Sequence, residues 1–163
     1  MLRNLVKVAA LAAATFIATA ANSEQQASQW ATSCLSLGRS TSPQCSMNHS
    51  VSIKETGQVL FNVTLRIPIE AGQPPYLDIV APLGFYLPNG LALTIADEAF
   101  ASLAINRCDA NGCYAGAILT DEQLGQLKQG LGLSLAFYPK PEQSANVEIP
   151  LIGFTEAYDS IAH

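Results

Sequence analysis

Four cysteines fall as two close pairs, Cys34 with Cys45 and Cys108 with Cys113, and no other feature constrains the fold of this chain as strongly. An even set of cysteines behind an export signal reads as a disulfide framework, because such bonds form and persist only in an oxidising compartment. Four cysteines allow three connectivities. Short loops close at the least entropic cost, and the frame from Arg107 to Cys113, RCDANGC, is a turn that brings its own two thiols together. Local pairing, Cys34 with Cys45 and Cys108 with Cys113, is therefore expected.

The export signal lies at the N-terminus. Arg3 and Lys7 form a positive region, Val8 to Thr19 an apolar stretch dominated by alanine, and Ala18-Thr19-Ala20 the small residues a signal peptidase requires. Cleavage is expected after Ala20, with Ala21 and Ser23 as alternative sites. The stretch falls short of the roughly 20 apolar residues of a spanning helix, and no cysteine follows it at a position suited to lipid attachment. The organisation expected is thus a signal peptide over 1–20, a flexible polar N-terminus over 21–29, and one β-sandwich domain over 30–163.

Loss of residues 1–20 removes Arg3 and Lys7 but no acid, leaving six Lys and Arg against thirteen Asp and Glu, a net charge of −7. The six cations are scattered. A surface of this sign repels polyanions, which argues against nucleic acid and bare anionic lipid as partners.

Past Gln29 the chain is a succession of short β-type segments. Phe61, Val63, Leu65, Ile67 and Ile69 alternate with Asn62, Thr64, Arg66 and Pro68, the period-two pattern of a strand with one buried face. Ala71 to Pro75 reads as a loop, Tyr76–Val80 as the next strand and Ala81–Leu87 as the one after it. Pro88-Asn89-Gly90 is a strong turn signal before the alternating Leu91–Ile95, so a hairpin is expected there. Ser102–Arg107 and Tyr114–Leu119 flank the second cysteine pair. Leu131–Tyr138 and Ala145–Ile152 flank the loop Pro139–Glu142. Two short helices interrupt the strands. Thr120 with Gln123 fits a capping box, with Leu124 and Leu127 as the apolar stripe and Gly130 as the stop. Phe154, Ala157, Tyr158 and Ile161 recur at helical spacing in a C-terminal helix expected to lie on the sheet as a lid. Many short strands with Gly and Pro turns imply a sandwich or barrel, and a β-sandwich with Trp30 in its core is the reading adopted.

Catalytic constellations do not assemble from these residues. The C-x4-C pair lacks the C-x-x-C spacing of dithiol oxidoreductases and reads as a staple. Asp109 to Gly112 echoes the start of a calcium loop but lacks the later acidic ligand, and reads as a polar turn. His49 is read as a satisfied surface histidine, and His163 is the last residue, so neither zinc chemistry nor a Ser-His-Asp triad follows. Asp97-Glu98 reads as a solvated loop and Asp121-Glu122 as charge at a helix N-terminus. Nucleotide and hydrolase motifs are missing, and no cofactor is implied. Asn48-His49-Ser50 and Asn62-Val63-Thr64 match N-glycosylation acceptors by chance.

Several segments taken in order resemble the invasion-associated locus B family of extracytoplasmic bacterial proteins. They are Trp30 to Cys34 (WATSC), Cys45 to Met47, Ala81 to Ile95 (APLGFYLPNGLALTI), Arg107 to Ala115 (RCDANGCYA) and Leu151 to Tyr158 (LIGFTEAY). The segment Asn48-His49-Ser50 departs from the glutamine-rich stretch expected in that family. The resemblance implies an immunoglobulin-like β-sandwich in a periplasmic or secreted protein and points to the same local disulfides. It implies host-cell attachment or invasion only if the source is host-associated, and it supplies no catalytic residues.

Two function classes follow. One is a non-enzymatic binding module of the envelope, periplasmic or secreted, possessing no membrane span after signal removal, either soluble or peripherally associated with the outer membrane, whose partner is an envelope or surface protein or glycan. The other is an extracytoplasmic enzyme or thiol-disulfide helper whose site is assembled from distant residues. Contact segments expected for the first are two exposed loops, Gly72-Gln73-Pro74-Pro75 and Tyr138-Pro139-Lys140-Pro141-Glu142.

Overall fold

The computed structural model describes residues 29–36, 38, 42–70 and 72–162; the expected signal peptide and all but Gln29 of the expected flexible N-terminus lie outside the described residues. Among the described residues ten strands form two antiparallel sheets. They are β1 (Ala31–Leu35), β2 (Gln44–Ser52), β3 (Val59–Ile67), β4 (Tyr76–Ala81), β5 (Leu91–Ile95), β6 (Glu98–Leu103), β7 (Ile105–Asp109), β8 (Gly112–Ile118), β9 (Gly132–Lys140) and β10 (Gln143–Pro150). One sheet has the order β1-β2-β3-β4-β8-β7 and the other β10-β9-β5-β6. They pack face to face as the expected immunoglobulin-like sandwich, with β10 touching β2 and β6 touching β8 across the core.

The alternation in β3 sets the core. Phe61, Val63, Leu65 and Ile67 point inward and meet Leu77 and Ile79 of β4, while Leu91, Leu93, Leu133, Leu135 and Ile149 come from the facing sheet. Each such side chain contributes about 1.5 to 3 kcal/mol on burial. Ile69 does not continue the buried face. β3 stops at Ile67, Pro68 cannot donate to the ladder, and Ile69 is exposed.

Helix α1 (Asp121–Gln129) starts with the expected capping box. Gln123 donates its backbone N–H to the Thr120 hydroxyl while its side-chain oxygen accepts the Thr120 N–H. Leu127 is the residue it buries. Helix α2 (Phe154–Asp159) buries Phe154 and Ala157, and Ile161 packs just beyond its end. Trp30 is buried against it: the Trp30 and Phe154 rings meet edge to face at 5.1 Å, and the indole Nε1 donates to the Pro150 carbonyl at 3.0 Å. His49 completes this cluster rather than the surface. Its side chain is buried 5.5 Å from the Trp30 ring, and Nδ1 lies 3.1 Å from the Gln29 carbonyl. A carbonyl only accepts, so Nδ1 carries the proton.

Three local expectations are corrected. Ala81–Leu87 is not a strand: β4 ends at Ala81, Pro82 lacks an N–H, and Gly84 has φ 93°. A short 3-10 turn over Leu87–Asn89 follows, and Gly90, at φ 61° with the Leu103 carbonyl against its Cα, carries the chain from one sheet to the other. Leu91–Ile95 therefore pairs with β6 and β9, and the hairpin expected at Pro88-Asn89-Gly90 does not form. The hairpin that β5 does make turns through Ala96 and Asp97, both at positive φ (50° and 64°), a type I′ geometry without its usual glycine. Ser102–Arg107 is also not one strand. It divides at the exposed Ala104, where the chain passes from β6 in the smaller sheet to β7 in the larger.

Candidate interaction surface

The larger sheet overhangs the smaller one at both sides. β1 is exposed at all of its residues and β7 at all but Ile105, so β1 contributes nothing to the core and β7 only the half-buried Ile105 that packs against it. Both are held by a disulfide. Cys34 on β1 is bonded to the buried Cys45 directly opposite on β2, and Cys108 on β7 to the buried Cys113 directly opposite on β8. With all four cysteines paired, no dithiol is present.

One end of the same sheet carries a band of exposed apolar side chains. The antiparallel register brings Leu35 beside Gln44, and Tyr76 between Arg66 and Ile118, while Pro68, Ile69, Pro74 and Ile118 line one shallow depression with Gln44, Glu70 and Gln73. Leu35 is 70%, Ile118 64% and Ile69 43% exposed, whereas the core leucines and isoleucines are nearly inaccessible. In the middle of the face the Arg66 guanidinium pairs with the Asp78 carboxylate at 2.6 Å. Tyr76 lies down across β8, with its ring where a side chain on Gly116 would stand.

The two loops singled out in the sequence lie at opposite ends of the sandwich. Gly72, Gln73 and Pro74 are exposed beside the apolar band, but Pro75 is buried and its carbonyl accepts from Leu119 N–H at 2.9 Å. Tyr138, Pro139 and Lys140 belong to β9, since the strand runs on to Lys140, and only Pro141 and Glu142 form the turn. The Tyr138 carbonyl accepts from Tyr86 N–H at 2.7 Å, which fixes this hairpin beside the crossover segment. The residues that sequence reasoning missed are Leu35, Ile69 and Ile118. They are far apart in the chain: strand register brings Leu35 and Ile118 to this end of the sheet, and the segment following β3 brings Ile69 there.

At the tip of the β7–β8 hairpin the Asp109 carboxylate accepts from Asn111 N–H at 2.8 Å and from Arg107 at 2.6 Å, and the Arg107 guanidinium sits 3.7 Å over the Tyr114 ring. The Asn111 N–H and then Arg107 hold the Asp109 carboxyl below its ordinary range, and Asp109 raises Arg107 in turn. This is the polar turn expected from the sequence. A cleft of about 300 Å³ between the β5–β6 turn and α1 is lined by Ile95, Ala96, Glu98, Phe100, Gln126 and Gln129. Among the described residues no three His, Cys, Asp or Glu side chains converge as metal ligands, and no helix is long and apolar enough to cross a membrane.

Residues 30–162 match the family model described as invasion associated locus B (IalB) protein. Among solved structures, the crystal structure of invasion associated protein B from Bartonella henselae is similar in fold. It has a TM-score of 0.70 at 18% identity, with 81% of this chain and 89% of that chain covered. A search of curated proteins returns no match.

Proposed function

The chain belongs to the invasion-associated locus B family, and from that premise we propose that it is a non-enzymatic binding module of the extracytoplasmic bacterial envelope. The observation that carries this reading is the shallow depression lined by Ile69, Ile118, Pro68 and Pro74 together with Gln44, Glu70 and Gln73, with the exposed Leu35 on the far side of Gln44. Large apolar side chains left in water at one end of a sheet, inside a polar rim, have the anatomy of a protein contact surface. Gly72–Pro74 extends that surface. The two disulfides and the N-terminal export pattern support a periplasmic or secreted location. Attachment to host cells belongs to this reading only for a host-associated source.

The test is crosslinking in cells from positions beside the band. Ile69→Asp with Ile118→Asp should abolish the crosslinked product while leaving the melting temperature nearly unaltered, since both side chains are already in water. Undiminished crosslinking by that variant would move the contact elsewhere. Turnover of a peptide, glycan or disulfide substrate, abolished by one Asp, Glu or Cys substitution in a folded protein, would replace the binding reading with an enzyme.

A further inference from the structure

The four edge strands of the sandwich are not alike. β6 carries Glu98, β7 carries Arg107 and Asp109, and β10 carries Glu148 and Pro150, the charges and prolines that discourage pairing at an open edge. β1, with the sequence ATSCL, carries neither. It is also fully exposed, extends beyond the smaller sheet, and is clamped in extended form by the Cys34–Cys45 bond. An uncharged, unprotected strand held rigidly outside the core is a pairing template.

We propose that this template pairs with itself: two copies of the chain join antiparallel through Ala31–Leu35 about a two-fold axis at Ser33. The register supports self-pairing. Cys34 and Cys45 have Cα atoms 4.0 Å apart, the close approach of a non-hydrogen-bonded pair, so the N–H and C=O groups of Cys34 and, two residues back, Thr32 point away from β2. Antiparallel pairing centred on Ser33 sets Thr32 of each copy opposite Cys34 of the other, so all four outward groups of each strand are satisfied at once. Ser33 then meets its own counterpart on the outer face, where its hydroxyl already lies 3.4 Å from that of Ser46. Leu35 of each copy falls opposite Ala31, a large residue against a small one.

The overhang supplies clearance. With strands about 4.8 Å apart, pairing through β1 leaves the β2 strands of the two copies, and the β10 strands that lie over them, roughly 14 Å apart. The smaller sheets then do not collide. No other edge offers this combination. β7 also overhangs, but it carries Arg107 and Asp109, the charged side chains that guard an open edge, and these two already pair with each other within the strand.

Sedimentation velocity on the exported, mature protein tests the proposal. Dimerisation should appear with rising concentration and should tighten with added salt, because two copies of net charge −7 repel one another and salt screens that repulsion. Thr32→Pro removes one outward donor without touching the β1–β2 ladder, and Ser33→Lys places like charges on the axis. Each should weaken the dimer by roughly tenfold or more, with the melting temperature unaltered at dilutions where the protein is monomeric. Hydrogen exchange in the unsubstituted protein gives a second reading: the Thr32 and Cys34 amides should be protected in the dimer and released on dilution. A protein monomeric at every concentration overturns the proposal, as does a dimer indifferent to both substitutions. A monomer crosslinked from position 33 to another envelope component also overturns self-pairing, while leaving the binding-module reading in place.

Discussion

Cys34, exposed on β1, stands directly opposite the buried Cys45 of β2, and their bond ties a strand that buries nothing to one that lies in the core. At the other side of the sheet Cys108 and Cys113 tie β7, whose only core contact is the half-buried Ile105, to β8 in the same way. Both staples act where the sandwich is weakest. A strand without core contacts is held only by one ladder of hydrogen bonds, each of which contributes about 1 kcal/mol net, and it would fray without a covalent hold.

Replacing Cys34 and Cys45 together by Ala should cost about 2 to 3 kcal/mol in denaturant unfolding. The loss should be uneven. Amide exchange should accelerate first across β1, while Phe61, Val63 and Leu65 in β3 keep their protection, because the core is built without β1. If β1 amides exchanged at their original rates in the double variant, the strand would be held by something other than the bond.

Trp30 joins the first strand to the last helix, so its removal should be felt globally. Trp30→Ala and Phe154→Ala should each destabilise by about 3 to 5 kcal/mol, the usual range for a buried aromatic. Their edge-to-face contact should appear in a double-mutant cycle as a coupling of about 0.5 to 1.5 kcal/mol. Strict additivity would mean that the 5.1 Å ring contact contributes no energy of its own.

These elements differ in how far the sequence discloses them. The alternation of β3 as far as Ile67, the capping box at Thr120 and Gln123, and the two local cysteine pairs are short-range signals, and each forms as read; only Ile69 drops out of the alternation. Pro88-Asn89-Gly90 does turn the chain, but which strand then receives Leu91–Ile95 is decided by packing between sheets, which no local pattern encodes. His49 reads as a surface residue because Gln29 and Trp30, which bury it, lie about 20 residues away in the chain. The apolar band is the least legible of all. Leu35, Ile69 and Ile118 belong to three separate segments, and each alone is an ordinary exposed residue.

At the tip of the β7–β8 hairpin, the folded-state acidity of Asp109 sets a pH response. Its carboxyl is held below the ordinary aspartate value by the Asn111 N–H and by Arg107. Its contribution to the hairpin is therefore present above that ordinary value and is lost as pH falls through the lowered folded one. Carboxyl-carbon NMR should place the Asp109 midpoint below the ordinary aspartate range. Arg107→Gln should move it only part of the way back, since the Asn111 N–H remains. Because the group is fully exposed, global stability should change little. A full return on Arg107→Gln would make the ion pair, and not the backbone hydrogen bond, the main cause.

Gly116 offers the sharpest test of the sheet's outer face. A Cβ there would stand 2.5 Å from the Leu77 carbonyl oxygen and 2.6 Å from the Tyr76 hydroxyl, so Gly116→Ala must displace both a backbone group and the ring lying over β8. The cost should be about 1 to 3 kcal/mol, the range for overpacking a well-filled site. Adding Tyr76→Ala removes the ring but leaves the Leu77 carbonyl in place, so the double variant should recover only part of the loss introduced by Gly116→Ala. The order of the effects matters. Were Gly116→Ala neutral in the presence of Tyr76, the ring would not be resting on β8. Were the double variant to recover nothing, the clash would lie entirely with the backbone, and Tyr76 would be free to swing away from the sheet.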